Sequence, residues 1–131
     1  MVIDSSVVIA IALSETDYRV YIEAISKAFY RHARVCMPAS VLVEAGIIAE
    51  ARNFAGELNE VIDSMQPEII PLDATIANLS RDAFRRFGRG RHEAQLNFGD
   101  CMSYATATHL RLPLLYKGED FSRTDIPSAL A

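Results

Sequence analysis

The sequence lacks the features of a secreted or membrane-bound protein. Its longest uninterrupted apolar run, Val7 to Leu13, is too short to cross a bilayer, which takes about 20 residues. Asp4 stands where a secretory signal would carry basic residues, and no cleavage-like segment follows. The two cysteines, Cys36 and Cys101, form no CxxC pair, as expected of buried reduced thiols. We therefore expect a soluble cytoplasmic protein with no membrane association.

An excess of positive charge is also missing, because the formal net charge is −4 at pH 7. Any RNA or DNA binding must then come from a local basic patch rather than from bulk attraction. Repeats, low-complexity segments and linkers are absent, and half of the 131 residues are hydrophobic. The sequence therefore predicts one domain over residues 1–131. Four aromatic residues are expected in its core rather than as base-stacking platforms: Phe98, Tyr104, Tyr116 and Phe121.

Short apolar strands alternate with amphipathic helices along the chain. Residues 1–3 are wholly apolar, which is typical of a strand covered on both faces. Further strands are predicted at 34–37, 68–72 and 114–116, and a short edge strand begins at Ile126. Helices are predicted between the strands, with cap candidates Ser5 or Ser6, Thr16, Ser40 and Asp73. This order predicts an α/β fold, in which a parallel sheet is covered by helices on both faces.

Four acidic residues fall where this fold could bring them together. Asp4 ends the first strand, Glu44 lies in the helix after the second, and Asp100 and Asp120 flank the fourth. Ligands of open α/β sheets bind beyond the carboxyl ends of the strands. Taken singly, Asp100 could be an N-cap, Asp120 a solvated turn residue, and Glu44 a surface partner of Arg52. Asp4 resists such an explanation, because an unpaired carboxylate at the end of a buried strand is costly.

A cluster of these acids would require a cation. Two carboxylates about 4 Å apart repel by roughly 1 kcal/mol in water and by about 4 kcal/mol at a typical protein dielectric. No histidine or cysteine stands at ligand spacing, so an all-oxygen set favours Mg²⁺ or Mn²⁺ over zinc. Such ions serve phosphodiester chemistry by neutralising the phosphate and by lowering the pKa of a water. The pattern thus indicates a metal-dependent enzyme acting on phosphate esters.

Positive charge is concentrated between residues 81 and 92. Arg89, Arg91 and His92 lie in a glycine-flanked loop shortly before Asp100, and are candidate RNA-phosphate contacts. They could equally pair with the acids when no RNA is bound. Arg81 and Arg85, earlier in this segment, are expected to form a solvated helix face.

The residues described so far resemble the PIN-domain family, and within it the VapC-type toxin ribonucleases of toxin–antitoxin pairs. The resemblance covers essentially the whole chain. It is carried by VIDSS at 2–6, SVLVEA at 40–45, FGRGRH at 87–92, LNFGDC at 96–101 and LLYKGEDF at 114–121. One departure is Asp-Ser-Ser at the start, where Asp-Thr-Ser is common in the family. This change keeps a hydroxyl at both positions.

The resemblance implies a Mg²⁺- or Mn²⁺-dependent endoribonuclease. It implies a three-layer α/β/α sandwich with a central parallel sheet of about five strands, a homodimer, and inhibition by a cognate VapB-type antitoxin. The four acids of the family fall on Asp4, Glu44, Asp100 and Asp120, of which the first and third are the most direct metal ligands. The accompanying hydroxyl falls on Ser6. Glu119 is an alternative to its neighbour for the fourth place.

Two other functions stay open at the level of sequence. One is a receiver-like phosphorylation switch, with Asp73 as acceptor, Lys117 after a late strand and Asp4 as metal ligand. Such modules need paired acids after the first strand, where this chain has serines. The other is a metal-dependent phosphatase or a 5′-nuclease acting on DNA, since the same ions serve either substrate.

Overall fold

A computed structural model describes residues 1–130 of the chain. Within these residues the chain forms a four-stranded parallel sheet, six α-helices and one short 3₁₀ turn. The elements are β1 (Val2–Ile3), α1 (Ser5–Ala12), α2 (Tyr18–Tyr30), β2 (Cys36–Pro38), α3 (Ala39–Arg52), α4 (Ala55–Met65), β3 (Glu68–Ile70), α5 (Ala74–Phe87), α6 (Phe98–Leu110), β4 (Leu114–Leu115) and the 3₁₀ turn (Phe121–Arg123).

The central strand β1 separates two apolar layers. The strand order is β3-β2-β1-β4, and β1 pairs in parallel with β2 and with β4. Successive side chains of a strand point to opposite faces. Ile3 accordingly packs with residues of α1 to α4, whereas Val2 packs with residues of α5 and α6. This arrangement confirms the predicted α/β/α sandwich, in which β1 is buried on both faces.

The strand count differs from the predicted five. Near Ile126 the chain makes one parallel bridge, between Leu114 and Ser128, instead of a fifth strand within residues 1–130. Leu114 N–H donates to Pro127 O, and Ala129 N–H donates to Leu114 O, both over 2.9 Å. Pro127 has no N–H to donate, which limits further pairing. None of the helices in residues 1–130 has the length and apolar character needed to cross a membrane.

Several helix starts differ from the predicted caps. Asp73 caps α5 as predicted, and the side chain accepts a hydrogen bond from a backbone N–H of the first turn. The cap of α1, however, is Asp4 rather than Ser5 or Ser6. Ser40 lies inside α3, because this helix begins directly after β2. The carboxylate at the end of β1 therefore also lies at the N-terminus of a helix.

Candidate metal centre

Asp4 lies at the junction of β1 and α1 and is only 2% exposed. Its Oδ2 accepts hydrogen bonds from Ser6 Oγ at 2.6 Å and from Ser6 N at 3.1 Å. Its Oδ1 is buried and has no hydrogen-bond partner. A buried carboxylate oxygen without a partner is costly, and a nearby cation would remove that cost.

Ser6, the predicted supporting hydroxyl, joins two strand ends. Its Oγ donates to Asp4 and accepts a hydrogen bond from Lys117 N, which follows β4, at 3.0 Å. The hydroxyl thus fixes one carboxylate oxygen of Asp4 and ties the end of β1 to the end of β4. It satisfies Oδ2 and leaves Oδ1 available.

Asp100 occupies the first turn of α6, where it forms a capping box with Asn97. Asp100 N–H donates to Asn97 Oδ1 at 2.9 Å, and Asn97 N–H donates to Asp100 Oδ2 at 3.0 Å. Asn97 is therefore the N-cap, a role that the sequence reading considered only for Asp100. The spacing Asn-x-x-Asp is the signal that could have revealed it.

The capping role of Asp100 does not explain the direction in which the pKa of its carboxyl is shifted. A helix N-terminus and a backbone N–H both lower the pKa of a carboxyl. Burial nevertheless raises the pKa of Asp100 to about 6, and the charges of Asp4, Glu44 and Asp120 act in the same direction, against the Asn97 N–H. The ionised form of Asp100 thus lies among other negative charges.

Glu44 lies on α3, half-buried beside the same charges. Burial raises the pKa of its carboxyl, Asp4 adds to the rise, and the Ser5 side chain opposes it. The carboxylate rests against the backbone of Gly99, next to Asp100. The suggested ion pair with Arg52 does not form within residues 1–130, where Glu44 takes part in no salt bridge.

Asp120 is the exposed member of the group. It precedes the 3₁₀ turn after β4, and its charge is among those that raise the pKa of Asp100. Glu119 is not among the groups with the largest effects on that pKa. Its carboxylate instead accepts a hydrogen bond from Ser122 Oγ at 3.5 Å. These contacts favour Asp120 over Glu119 as the fourth acid.

Together Asp4, Glu44, Asp100 and Asp120 form a group that we call the acidic centre. No basic side chain is among the groups with the largest effects on the pKa of Asp100 or of Glu44, and none of the four acids forms a salt bridge within residues 1–130. In residues 1–130 no three acid, histidine or cysteine side chains are close enough together to enclose an ion directly. Mg²⁺ suits such an arrangement, since it keeps several waters and uses one or two carboxylates plus substrate phosphates. The all-oxygen donors and the unpartnered Asp4 Oδ1 therefore fit a hard divalent cation.

The predicted cationic loop does not neutralise the acidic centre. Arg91 lies over the ring of Phe84, with 5.7 Å between its Cζ and the ring centroid. His92 Nδ1 accepts a hydrogen bond from Ala94 N at 3.0 Å, which ties the imidazole to its own loop. Arg89 is exposed to solvent. The alternative in which this loop pairs with the acids is therefore not seen.

The receiver-like alternative is wrong. Lys117 follows β4 and Asp73 follows β3, and these strands form opposite edges of the sheet. Lys117 Nζ contacts Glu15 and Asp17, each at 2.9 Å, while Asp73 caps α5. A phosphoryl acceptor and its lysine must meet at one site, and these two do not.

Comparisons with known proteins point to one family. The PIN domain family matches residues 1–127. Ribonuclease VapC28 of Mycobacterium tuberculosis is 38% identical to this chain, and the match covers 99% of the chain and 98% of that protein. Ribonuclease VapC30 of the same species is also 38% identical, over 96% of the chain and 95% of that protein. Ribonuclease VapC of Mycolicibacterium smegmatis is 37% identical, over 96% and 97% respectively.

A solved structure shares the architecture. The crystal structure of Mycobacterium tuberculosis VapC20, a toxin that cleaves the sarcin–ricin loop, superposes with a TM-score of 0.70 and covers 95% of both chains. At 14% sequence identity this likeness shows the fold alone. The long matches to ribonucleases and the family match extend the conclusion beyond the fold. The chain therefore belongs to the PIN domain family, among the VapC ribonucleases, as the sequence predicts.

Proposed function

We propose that this chain is a Mg²⁺- or Mn²⁺-dependent endoribonuclease, the toxin of a type II toxin–antitoxin pair, acting in the cytoplasm as one domain over residues 1–131. One observation carries the proposal. Asp4 Oδ1 is buried without a partner, close to Glu44 and Asp100, whose pKa values are raised by burial and by nearby negative charges. A cation would relieve this repulsion, and none of the four acids forms a salt bridge within residues 1–130. The ribonuclease names of the relatives favour RNA over DNA or a phosphomonoester as the substrate.

The four acids take unequal roles in this proposal. Asp4 and Asp100 hold the cation most directly, because both are fixed by caps at helix N-termini. Glu44 and Asp120 support it from α3 and from the turn after β4, and Ser6 orients Asp4. When bound, the cation would supply charge neutralisation at the phosphate and a water of lowered pKa. In-line attack of water on the phosphorus, with the 3′-oxygen as the leaving group, would give products with 5′-phosphate and 3′-hydroxyl ends.

The loop that carries Arg89 and Arg91 is proposed to contact RNA phosphates. Both side chains are exposed, and neither forms a salt bridge within residues 1–130. Each phosphate contact by an arginine releases counterions and makes binding weaker at high salt. His92 is the weaker candidate of the predicted set, since its Nδ1 is an acceptor in the loop.

The nuclease proposal is tested by replacing single carboxylates of the acidic centre with uncharged amides of the same shape. Asp4→Asn and Asp100→Asn should each abolish cleavage of labelled total RNA in Mg²⁺, together with growth inhibition in cells. Asp63→Asn, at an exposed position of α4, is the matched control and should cleave normally. Circular dichroism should show all three variants folded. If Asp4→Asn and Asp100→Asn both retained metal-dependent cleavage, the mechanism would be refuted. Mapping the cleavage sites made by the wild-type protein in total RNA would identify the RNA target.

The proposed antitoxin should carry a cation into the acidic centre. Arginine is the natural bidentate partner of carboxylates, and the centre has no cation of its own. Co-purification with a small protein encoded beside this chain tests for such a partner. Replacing the arginine that enters the centre by methionine should weaken inhibition of RNA cleavage, whereas lysine should restore it in part.

The proposed homodimer has a candidate interface beside the acidic centre. Phe98, expected in the core, is instead 83% exposed, and Val43 and Ile47 of α3 are 61% and 64% exposed. Two clefts, of about 710 and 590 Å³, share Leu72, Phe98 and Met102 among their lining residues. An exposed apolar patch of this kind is typical of an interface. Phe98→Asp should convert a dimer to a monomer in light scattering, whereas Tyr30→Asp, at an exposed position on α2, should not.

A further inference from the structure

Gly99 lies in the first turn of α6, directly before Asp100, and is buried. The Glu44 carboxylate packs against it from the neighbouring helix α3. A methyl group added at Gly99 would lie 2.2 Å from Oε2, 2.7 Å from Cδ and 2.9 Å from Oε1 of Glu44. All three carboxylate atoms thus occupy the space that a side chain at this position would fill.

We propose that Gly99 is a positioning residue of the acidic centre: its missing side chain lets the Glu44 carboxylate lie beside Asp100, where both face one divalent cation. This inference rests on the proposed function and deepens it. Glycine has no side chain that could bind a metal, so Gly99 acts only through the position of Glu44.

The backbone gives no other reason for a glycine here. Positive φ angles occur at Gly90 and Gly118, whereas Gly99 has ordinary helical backbone. Glycine is less favourable than alanine within a helix, because its unfolded chain has more conformational freedom. The fold alone would therefore favour alanine at position 99, and close approach of Glu44 is what requires glycine.

A side chain at position 99 should disturb the acid rather than the fold. The atoms it would meet belong to the end of a flexible side chain, not to backbone. Glu44 is half-buried, so its carboxylate has room to swing toward the cleft of about 590 Å³ that it lines with Gly99 and Phe98. The helix can stay in place while Glu44 leaves the position beside Asp100. Cation binding and thermal stability are therefore expected to respond in opposite directions.

The test compares Gly99→Ala with Gly46→Ala. Gly46 lies two residues from Glu44 on α3, and a methyl group there meets no atom within 4 Å. Mn²⁺ binding to the metal-free protein is measured by calorimetry and by electron paramagnetic resonance. Gly99→Ala should raise the Mn²⁺ Kd about tenfold, the lower range for disturbing groups that orient metal ligands. Its Tm should stay level or rise, and Gly46→Ala should keep the wild-type Kd.

A double-mutant cycle with Glu44→Ala decides whether Gly99 acts through Glu44. Once the carboxylate is gone, Gly99→Ala should cause no further loss of Mn²⁺ affinity. An equal loss in both backgrounds would overturn the inference, as would an unchanged Kd in Gly99→Ala alone. Failure of the wild-type protein to bind Mn²⁺ would overturn the proposed function itself. The two ideas thus fail in distinguishable ways.

Discussion

Two groups of acids within residues 1–130 differ in whether a basic side chain of the protein pairs with them. In the first, Lys117 Nζ lies 2.9 Å from a carboxylate oxygen of both Glu15 and Asp17. The hydrogen bond from Lys117 holds the pKa of Asp17 below its usual range, and the two acids raise the pKa of Lys117. In the acidic centre the pKa of Asp100 is raised instead, to about 6.

The contrast separates acids that are paired within the chain from acids that we propose bind a cation. The first group joins the loop between α1 and α2 to the end of β4, and Lys117 pairs with both of its carboxylates. The acidic centre lies at the carboxyl end of the same sheet, where ligands of α/β folds bind, and its charges are left unbalanced. Acids that raise each other's pKa favour the arrival of a cation, whereas acids already paired do not.

The largest effect is expected when one acid of the acidic centre is replaced by a lysine, which gives the centre a positive charge of its own. Glu44→Lys should abolish Mn²⁺ binding and reduce RNA cleavage at least about 100-fold, because the charge stabilisation supplied by a metal is worth several kcal/mol. The same variant should lower the pKa of Asp100, which carbon NMR can follow. Glu50→Lys makes the same charge change at an exposed position of α3 and should cleave as the wild type does. Wild-type cleavage by Glu44→Lys would contradict this view of the centre.

Lowering the pH should weaken cation binding in the window set by Asp100. Protons compete with the metal for the carboxylate, and the pKa of Asp100 is raised to about 6. The Mn²⁺ affinity should therefore be constant above about pH 7 and fall as the pH drops through about 6, by about tenfold at pH 5. Calorimetric titrations of the metal-free protein at several pH values measure this. An affinity independent of pH between about 7 and 5 would argue against Asp100 as a ligand.

A smaller effect is expected on the stability of the metal-free protein. Because the pKa of Asp100 is higher in the folded chain than its ordinary value of 3.8, ionisation above about pH 6 destabilises the fold, and this penalty disappears as the pH falls toward 4. Asp100→Asn keeps an acceptor for the capping box and removes the charge. At pH 7.5 it should raise the free energy of unfolding by roughly 1 kcal/mol, allowing for solvent screening.

Urea unfolding at two pH values checks the sign of that effect. The advantage of Asp100→Asn should be present at pH 7.5 and shrink at pH 4.5. Saturating Mg²⁺ should reverse it, since only the wild-type centre gains from the ion. Asp73→Asn, at the exposed cap of α5, is the comparison for a carboxylate outside the acidic centre. Equal responses of the two variants to Mg²⁺ would mean that the ion does not bind at Asp100.

The sequence predicted the family and the sheet with the acids at its carboxyl end, because apolar strands followed by acids are local patterns. The family membership is confirmed, and the roles of the individual acids remain predictions. The cap at Asn97 also follows a local pattern, since the spacing Asn-x-x-Asp at residues 97–100 is that of a capping box. The pairing of Lys117 with Glu15 and Asp17 was not accessible, since it joins residues about a hundred positions apart and depends on β4 lying beside β1.

Exposure and close approach were the other features that the sequence did not reveal. Phe98 was expected in the core, yet its place at the start of α6 directs the ring outward. The contact of Gly99 with Glu44 joins two helices, and the sequence around a helical glycine does not indicate which side chain packs against it. Periodicity predicts which face of an element is apolar. It does not predict which atoms of two elements meet.

The mildest test removes Lys117 from the group in which it pairs with Glu15 and Asp17. Lys117→Met leaves Glu15 and Asp17 facing each other, and should lower Tm more than Lys27→Met does, because Lys27 pairs only with one exposed glutamate on its own helix.

Lys117 N–H also donates to Ser6 Oγ, which in turn holds Asp4. Loosening this turn should therefore weaken Mn²⁺ binding a fewfold. Adding Glu15→Gln and Asp17→Asn to Lys117→Met should restore Tm by removing the repulsion, but not the Mn²⁺ affinity, because the anchor of the turn is still missing. Recovery of the Mn²⁺ affinity as well would contradict a role of the Lys117 side chain as the anchor of the turn, and an unchanged affinity in Lys117→Met would show that the two groups of acids are independent.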